Sequence, residues 1–214
     1  CRYCFRRHFP YGEESALQQG WEPALQRLRA DTSISEVILS GGDPLSLGNR
    51  RIATLVDALA ELGSVRRLRI HTRFPIVLPE RVDGGLLEIL ERTPLASVVV
   101  VHANHANELD ASVAGALGAL RRAGVTLLNQ AVLLRGVNDD ADALAALCER
   151  VFDLGVLPYY LHLLDPVAGA AHFDVEAQRA LDLHRELTAR LPGYLVPRLV
   201  REIPGRPSKT AVVA

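Results

Sequence analysis

Short runs of β-branched and aliphatic residues alternate along the chain with longer stretches in which leucine and alanine recur at helical spacing. The continuous apolar runs predict five buried strands, at residues 36–40, 67–71, 97–102, 126–134 and 157–164. The stretches with helical spacing cover residues 50–63, 83–92, 110–123, 139–154 and 174–191. Three of them are predicted to begin at an aspartate N-cap, namely Asp110, Asp139 and Asp174. This alternation predicts a parallel sheet with helical crossovers, either a doubly wound sheet or a barrel.

Polar residues cluster where the predicted strands end. They are Ser40 to Asp43, His71 to Arg73, His102, Asn129 with Gln130, and Asp165. Because the carboxyl ends of barrel strands meet at one mouth, so many polar strand ends favour a barrel or a partial barrel. A doubly wound sheet would gather its ligand groups at a single switch point instead. Residues 1–214 contain no linker and no repeat beyond the strand–helix rhythm, so we expect one domain.

Composition and charge narrow the range of partners. With 49% hydrophobic and 23% charged residues, the chain is typical of a soluble globular protein. A formal net charge of −1 argues against a nucleic acid or an anionic membrane bound through bulk charge. No apolar run approaches the roughly 20 residues of a membrane span. Three cysteines do not make a disulfide framework, and Cys148 is expected to be a buried apolar residue of a helix, so a reducing cytoplasmic setting is predicted.

The chain begins with the segment CRYCFRRHFPYGEE, in which Cys1 and Cys4 form a C-x-x-C pair. Thiolates at this spacing can bind one zinc ion or one iron–sulfur cluster, or act as a redox pair. One alternative is therefore a catalytically inactive metal-binding scaffold that uses only this pair. Another is a nucleic-acid module built on CRYCFRRHF, which the balanced charge and the lack of repeated basic–aromatic stretches disfavour.

Lysine is nearly absent from the chain. Of 24 basic residues only Lys209 is a lysine, and every other one is an arginine. Arginine can replace lysine on a solvated surface, but a guanidinium cannot form an imine with an aldehyde. Pro204, Gly205 and Pro207 restrict the loop before Lys209. Lys209 is therefore predicted to hold an aldehyde cofactor, against the alternative that it survives by chance near a terminus.

Taken together and in order, several segments resemble the lysine 2,3-aminomutase family of radical S-adenosylmethionine enzymes. They are CRYCFRR, SGGDPL, HTRFPIVLPERV, VHANHANE, LLNQAVLLRGVND and PYYLHLLD followed by GAAHF. FRRHFPY, GAAHF, GYLVP, REI and PSKT are most similar to the branch of that family that serves elongation factor P. The resemblance runs along essentially the whole chain. It implies a partial (βα)6-type barrel of the radical S-adenosylmethionine kind.

The resemblance implies an iron–sulfur cluster and an S-adenosylmethionine site. The family's cluster motif is C-x-x-x-C-x-x-C, and Cys1 and Cys4 match its second and third cysteines. The first would lie four residues upstream, so we expect the N-terminal part of the protein to be missing from this chain. Matches to the S-adenosylmethionine site are Gly41, Gly42 and Asp43 at the methionine part and His102 and Gln130 at the adenosyl part.

The resemblance also assigns a pyridoxal phosphate and a substrate site. Lys209, in the loop 201–210, matches the lysine that carries pyridoxal phosphate. Arg6 matches the arginine that pairs with the substrate carboxylate, a role suited to a planar bidentate group. Asp165 and Glu202 match the two acids that hold the distal ammonium of lysine, although clostridial-type enzymes carry aspartate at the position of Glu202.

The implied activity is an isomerase that converts L-α-lysine to β-lysine with a [4Fe–4S] cluster, S-adenosylmethionine and pyridoxal phosphate. The implied partners are an amino acid substrate and a ligase that passes the product to elongation factor P. Within the same enzyme class, glutamate or arginine is the alternative substrate.

Overall fold

In the computed structural model, residues 2–4, 20–206 and 208–213 are described. Seven strands form one sheet: β1 Glu36–Leu39, β2 Arg67–Thr72, β3 Ala96–Val101, β4 Thr126–Val132, β5 Leu157–His162, β6 Arg198–Arg201 and β7 Thr210–Ala211. Within the described ranges seven α-helices accompany them: α1 Glu22–Ala30, α2 Asn49–Ala60, α3 Phe74–Val77, α4 Gly84–Arg92, α5 Ala111–Arg122, α6 Ala141–Asp153 and α7 Ala177–Arg190. Each predicted strand and helix is present, with bounds shifted by up to three residues.

The strands lie in the sheet in their order along the chain. β1 to β6 pair in parallel, and β7 turns back to pair with β6 in antiparallel fashion. A doubly wound sheet reverses its strand order at a switch point, whereas this order never reverses. The crossover helices pack against one another along the sheet, α2 against α4 and α6 against α7. The predicted partial barrel, with helices outside and an inner face left to the strands, is therefore confirmed.

The residues of the strands divide between the two faces of the sheet. On β2, Leu68 and Ile70 are buried in the apolar core under the helices, while Arg69 and His71 alternate with them and point to the inner face. Parallel register carries the same division across the sheet, since His71 pairs with Val100 and Gln130 pairs with Tyr160. The inner face is the surface on which the polar side chains described below lie.

The predicted helix caps are correct at one position and wrong at two. Asp110 accepts a hydrogen bond from the backbone of Val113 and caps α5 as predicted. The N-cap of α6 is Asp140, because Asp139 accepts from the backbone of Gly136 in the preceding turn. Asp174 ends the 3-10 turn Ala171–Phe173 three residues before α7 begins, so it does not cap that helix.

No helix among the described residues is long and apolar enough to cross a membrane. The prediction for Cys148 is confirmed: the side chain is buried in the core, and burial raises the pKa of its thiol to about 12. Such a thiol remains protonated and is neither a nucleophile nor a ready metal ligand at neutral pH.

Candidate functional site

Lys209 contacts one carboxylate and acts electrostatically on a second at the edge of the inner face. The β6–β7 register pairs Arg201 with Thr210, which places Glu202 opposite Lys209 on the two chains of the hairpin. Nζ of Lys209 forms an ion pair with Oε1 of Glu202 and lies 5.6 Å from the ring centre of Tyr160. Asp165 is half-buried after β5; burial raises the pKa of its carboxyl, Glu202 raises it further and Lys209 opposes both. The structure thus places the lone lysine in contact with Glu202 and within electrostatic range of Asp165, the second predicted substrate acid.

Three histidines of the inner face, His71, His102 and His162, lie within electrostatic range of Lys209. Burial is the main reason that the pKa of His71 falls to about 3 and the pKa values of His102 and His162 fall to about 4. The positive charge of Lys209 lowers all three further, as expected for imidazoles close to an ammonium. All three are therefore neutral at physiological pH. They supply hydrogen-bonding atoms to this site without adding positive charge.

Several buried polar atoms of the inner face lack partners among the described residues. Nε2 of His102 and Nε2 of Gln130 are 2.9 Å apart, and the His71 ring stands nearly perpendicular to the His102 ring with centres 6.1 Å apart. Oε1 of Gln130, Nε2 of His71 and Nε2 of His162 are buried without a hydrogen-bond partner. Unpaired buried polar atoms are costly unless something polar satisfies them, so these three fit contacts to a polar ligand.

The SGGD turn is tied to the end of the neighbouring strand. Gly41 has φ of 126°, a conformation that residues with a side chain rarely adopt, so a glycine is required there. Oδ1 of Asp43 accepts hydrogen bonds from the backbone of Leu45 at 3.0 Å and from the Thr72 hydroxyl at 2.6 Å. Its Oδ2 accepts from the backbone of Arg73 at 2.7 Å. Asp43 therefore fixes the turn, and any ligand contact would use the capacity that remains on this carboxylate or the backbone of the two glycines.

The segment around Cys4 is held at the carboxyl ends of β2 and β3. The Tyr3 hydroxyl accepts hydrogen bonds from Nη1 of Arg73 at 2.9 Å and from Nδ2 of Asn104. Arg73 also pairs with Glu108 at 2.7 Å, and the Tyr3 ring meets Phe173 edge-on with centres 6.5 Å apart. Cys4 follows Tyr3 directly, so it lies at the same end of the partial barrel as the SGGD turn.

Known proteins resemble this chain over nearly its full length. No protein-family model matches the sequence. The chain is 51% identical over 210 residues to L-lysine 2,3-aminomutase of Escherichia coli K12 and 49% identical to that of Haemophilus influenzae. Both matches cover 98% of this chain, and they cover 61% and 62% of the relatives, so the chain spans about three fifths of their length. L-lysine 2,3-aminomutase of Clostridium subterminale is 33% identical over 214 residues, covering all of this chain and 51% of that protein.

Over 98% of its length the chain is thus similar to proteins named L-lysine 2,3-aminomutase.

Two solved structures resemble this chain in their fold. The crystal structure of Streptococcus suis SuiB bound to S-adenosylmethionine superposes with a TM-score of 0.65 at 15% identity, covering 94% of this chain and 47% of that one. A radical S-adenosylmethionine methyltransferase from Sphaerobacter thermophilus gives a TM-score of 0.60 at 19% identity, covering 84% of this chain and 55% of that one. At such low identity the likeness establishes the partial barrel alone.

Some predicted site residues lie outside the described residues. These are Cys1, predicted to bind the cluster, and Arg6, predicted to bind the substrate carboxylate; both remain predictions. Cys4 is described, half-buried and not in a disulfide. Within the described ranges no group of three histidine, cysteine or acidic side chains could hold a metal ion. A cluster site would therefore need thiolates from outside those ranges.

Asn129 was predicted at the mouth, and the residues that anchor the cysteine segment were missed. Asn129 is buried on the helix side, where it exchanges two hydrogen bonds with the backbone of Ala103, at 2.9 Å and 3.1 Å. Strand residues alternate between faces, so of the pair only Gln130 reaches the inner face.

The sequence patterns do not single out Tyr3, Asn104 and Glu108, which anchor the cysteine segment. They lie within CRYCFRR and VHANHANE, so the signal was present but did not distinguish them.

Proposed function

We propose that the protein is a radical S-adenosylmethionine, pyridoxal phosphate-dependent 2,3-aminomutase that converts L-α-lysine to β-lysine. The observation that carries this proposal is that Lys209 forms an ion pair with Glu202 and interacts electrostatically with Asp165 on the inner face of the partial barrel. One aldehyde-binding amine beside two carboxylates suits a substrate that carries a second, distal ammonium. The name of the relatives, L-lysine 2,3-aminomutase, supports the same assignment.

The described residues fit the proposed cofactors. Cys4, with Cys1 and an upstream cysteine, would bind the [4Fe–4S] cluster, and the SGGD turn with His102 and Gln130 would hold S-adenosylmethionine. Lys209 would bind pyridoxal phosphate, and the unpartnered Nε2 atoms of His71 and His162 offer it polar contacts. When bound, the cluster and S-adenosylmethionine supply radical chemistry, and pyridoxal phosphate supplies a delocalised ring that carries the migrating amino group.

The protein's own groups bind and orient the substrate. Asp165 and Glu202 would accept hydrogen bonds from the distal ammonium, while Arg6 would pair with the carboxylate at the other end. The neutral imidazoles of His71 and His162 keep repulsive positive charge away from that ammonium. The half-barrel shields the reacting carbons from bulk water on the helix side, which protects reactive species from side reactions.

Charge at the acid pair discriminates between the alternative substrates. Glutamate would place its distal carboxylate against Asp165 and Glu202, and like charges at close range are strongly disfavoured. Arginine would satisfy the charge, but its planar guanidinium is larger and differently shaped. Lysine therefore fits best. In the elongation factor P branch, to which the GAAHF and PSKT segments are similar, the β-lysine would pass to a cytoplasmic ligase.

Turnover by the full-length protein tests the proposal. The reduced protein, reconstituted with iron, sulfide, S-adenosylmethionine and pyridoxal phosphate, is expected to form β-lysine from L-lysine, and chromatography of the derivatised amino acids measures it. Lys209→Arg keeps the charge but cannot form the imine, so it should form none. An absence of β-lysine from the loaded protein, or faster conversion of glutamate or arginine, would contradict the proposal.

A further inference from the structure

We propose that Lys209 is an internal competitor of the substrate: until pyridoxal phosphate binds, its side-chain ammonium occupies the acid pair that later receives the distal ammonium of lysine. The inference rests on the proposed function, because it takes Asp165 and Glu202 as the substrate's ammonium site. It adds an order of binding, in which cofactor capture opens the substrate site.

The register of the β6–β7 hairpin places the Lys209 side chain next to Glu202. Val200 pairs with Ala211 and Arg201 with Thr210, so the next residues of the two chains, Glu202 and Lys209, are neighbours across the hairpin. Cross-strand neighbours have Cβ atoms about 4.5–5.5 Å apart, which lets their side chains meet without a backbone change. The Lys209 side chain is 26% exposed and its ammonium also lies over the Tyr160 ring. The lysine end of the ion pair is thus partly shielded from water, while the Glu202 side chain is 47% exposed, so the pair is only modestly stronger than one at an open surface.

The competitor and the substrate present the same chemical group. Both end in a primary ammonium on a flexible alkyl chain, so a carboxylate arrangement that accepts one accepts the other. Asp165 interacts electrostatically with both members of the Lys209–Glu202 ion pair, since Glu202 raises the pKa of its carboxyl and Lys209 lowers it. The Lys209 ammonium pairs with Glu202 and acts electrostatically on Asp165, so it offsets part of the charge of both carboxylates. A second ammonium entering the same place would meet the positive charge of the first.

Cofactor capture removes the competitor by ordinary imine chemistry. The Lys209 ammonium first gives one proton to solvent. Its nitrogen then forms a carbon–nitrogen double bond with the aldehyde carbon of pyridoxal phosphate, and the aldehyde oxygen leaves as water with the two hydrogens of the amine. Nothing is oxidised or reduced. The nitrogen is now held by the cofactor, and the negative charges of Asp165 and Glu202 are left without this cation. They then bind an incoming ammonium more tightly.

Binding of L-lysine to the cofactor-free, full-length protein tests the inference, with isothermal titration calorimetry as the readout. Working without pyridoxal phosphate prevents the lysine α-amine from reacting with it. Lys209→Met removes the competing charge, Lys209→Gln repeats that removal with a polar side chain, and Lys209→Arg keeps a cation in place. Arg190→Met is the matched control, because it breaks the exposed ion pair of Arg190 with Asp142. Norleucine, which lacks the distal ammonium, is the matched ligand.

We expect Lys209→Met and Lys209→Gln to bind L-lysine about tenfold more tightly than the parent, within the usual range of coupling between sites. Lys209→Arg and Arg190→Met should bind like the parent, and no substitution should improve norleucine binding. Equal lysine affinity in the parent and in both neutral variants, with Glu202→Gln weakening all of them, would overturn the competition while leaving the acid pair as the substrate site. If Glu202→Gln and Asp165→Asn changed nothing in the Lys209→Met background, the acid pair itself would be misassigned.

Discussion

The hydroxyl of Tyr3 accepts a hydrogen bond from Nη1 of Arg73 at 2.9 Å, which fastens the cysteine-containing segment to the end of β2. The same oxygen accepts from Asn104 at the end of β3, and Arg73 is held in turn by Glu108. One phenol oxygen therefore joins residues that are 70 and 101 positions away in the sequence. If Cys4 binds the cluster, this contact sets where the cluster lies relative to the SGGD turn.

Removing that oxygen should loosen the segment. Tyr3→Phe removes the acceptor that Nη1 of Arg73 and Nδ2 of Asn104 share, and a lost buried partner costs about 1–3 kcal/mol. We expect a lower melting temperature and a reduced iron and sulfide content per protein in the reconstituted full-length enzyme. Tyr194→Phe is the control, because Tyr194 is 61% exposed and its ring contact with Phe152 needs no hydroxyl. Equal iron content in Tyr3→Phe and the parent would show that the contact does not position the cluster.

Asn138 is expected to be among the residues most sensitive to substitution. Its side chain is fully buried; Oδ1 accepts from the backbone of Leu134, and Nδ2 donates to the carbonyls of Asn104 and Val132. Asn138→Ala strands three backbone groups, so we expect a loss of about 3 kcal/mol or more in the free energy of unfolding. Chemical denaturation measures it. Asn107→Ala, at an exposed position, should stay within about 0.5 kcal/mol of the parent.

Stability should fall on mild acidification because of the inner-face histidines. The unfolded imidazoles take up protons near the reference pKa of 6.5, whereas folded His71, His102 and His162 stay neutral down to about pH 3–4. Below pH 6.5 the unfolded state therefore binds more protons, and the free energy of unfolding decreases as pH falls. Each of the three should cost about 2 kcal/mol between pH 6.5 and 4.5, so we expect denaturant titrations to show a total loss of up to about 6 kcal/mol.

Replacing one of these histidines checks the cause. His71→Gln should make the pH dependence shallower by up to about 1.4 kcal/mol per pH unit, the effect of one proton. At pH 8 the His71 imidazole is neutral in both states, so the variant's stability there separates its packing effect from titration. An unchanged slope between pH 6.5 and 4.5 would mean that His71 takes up its proton in the folded protein.

The acid pair should matter for the substrate more than for the cofactors. Asp165→Asn removes one charge from a half-buried site, and losing one partner of a desolvated charge pair costs about 2–5 kcal/mol. We therefore expect lysine turnover to fall far more than affinity for S-adenosylmethionine or pyridoxal phosphate. Steady-state kinetics and equilibrium binding on the same preparation distinguish these effects. A variant that turns over lysine like the parent would reduce Asp165 to a cap of the loop before Pro166.

Sequence patterns were sufficient for the main strands and helices. Parallel strands are buried on both faces, so a strand such as β3 appears as a nearly continuous apolar run whose position can be read directly. The same burial hides which face each residue occupies, and a register shift between Asn129 and Gln130 makes the ends of β4 harder still to assign. α1 was not predicted. Leu25 is its one buried residue, so it has little apolar periodicity to detect.

The candidate site was predictable where composition singled out a residue. Lys209 is the sole lysine, and its position in a constrained loop makes it conspicuous in the sequence alone. The ion pair with Glu202 depends on hairpin register, and β7 is only two residues long. The partners of Tyr3 depend on contacts between distant segments. Neither relationship follows from local sequence patterns, because both depend on how the folded sheet brings separate segments together.

The central claim is that Lys209 holds pyridoxal phosphate beside the acid pair, and borohydride trapping tests it most directly. Full-length protein loaded with pyridoxal phosphate is reduced, digested and analysed by mass spectrometry. We predict a phosphopyridoxyl adduct on the peptide that contains Lys209, loss of the visible absorbance on reduction, and neither signal in Lys209→Arg. An adduct located elsewhere, or one that persists in Lys209→Arg, would contradict the claim.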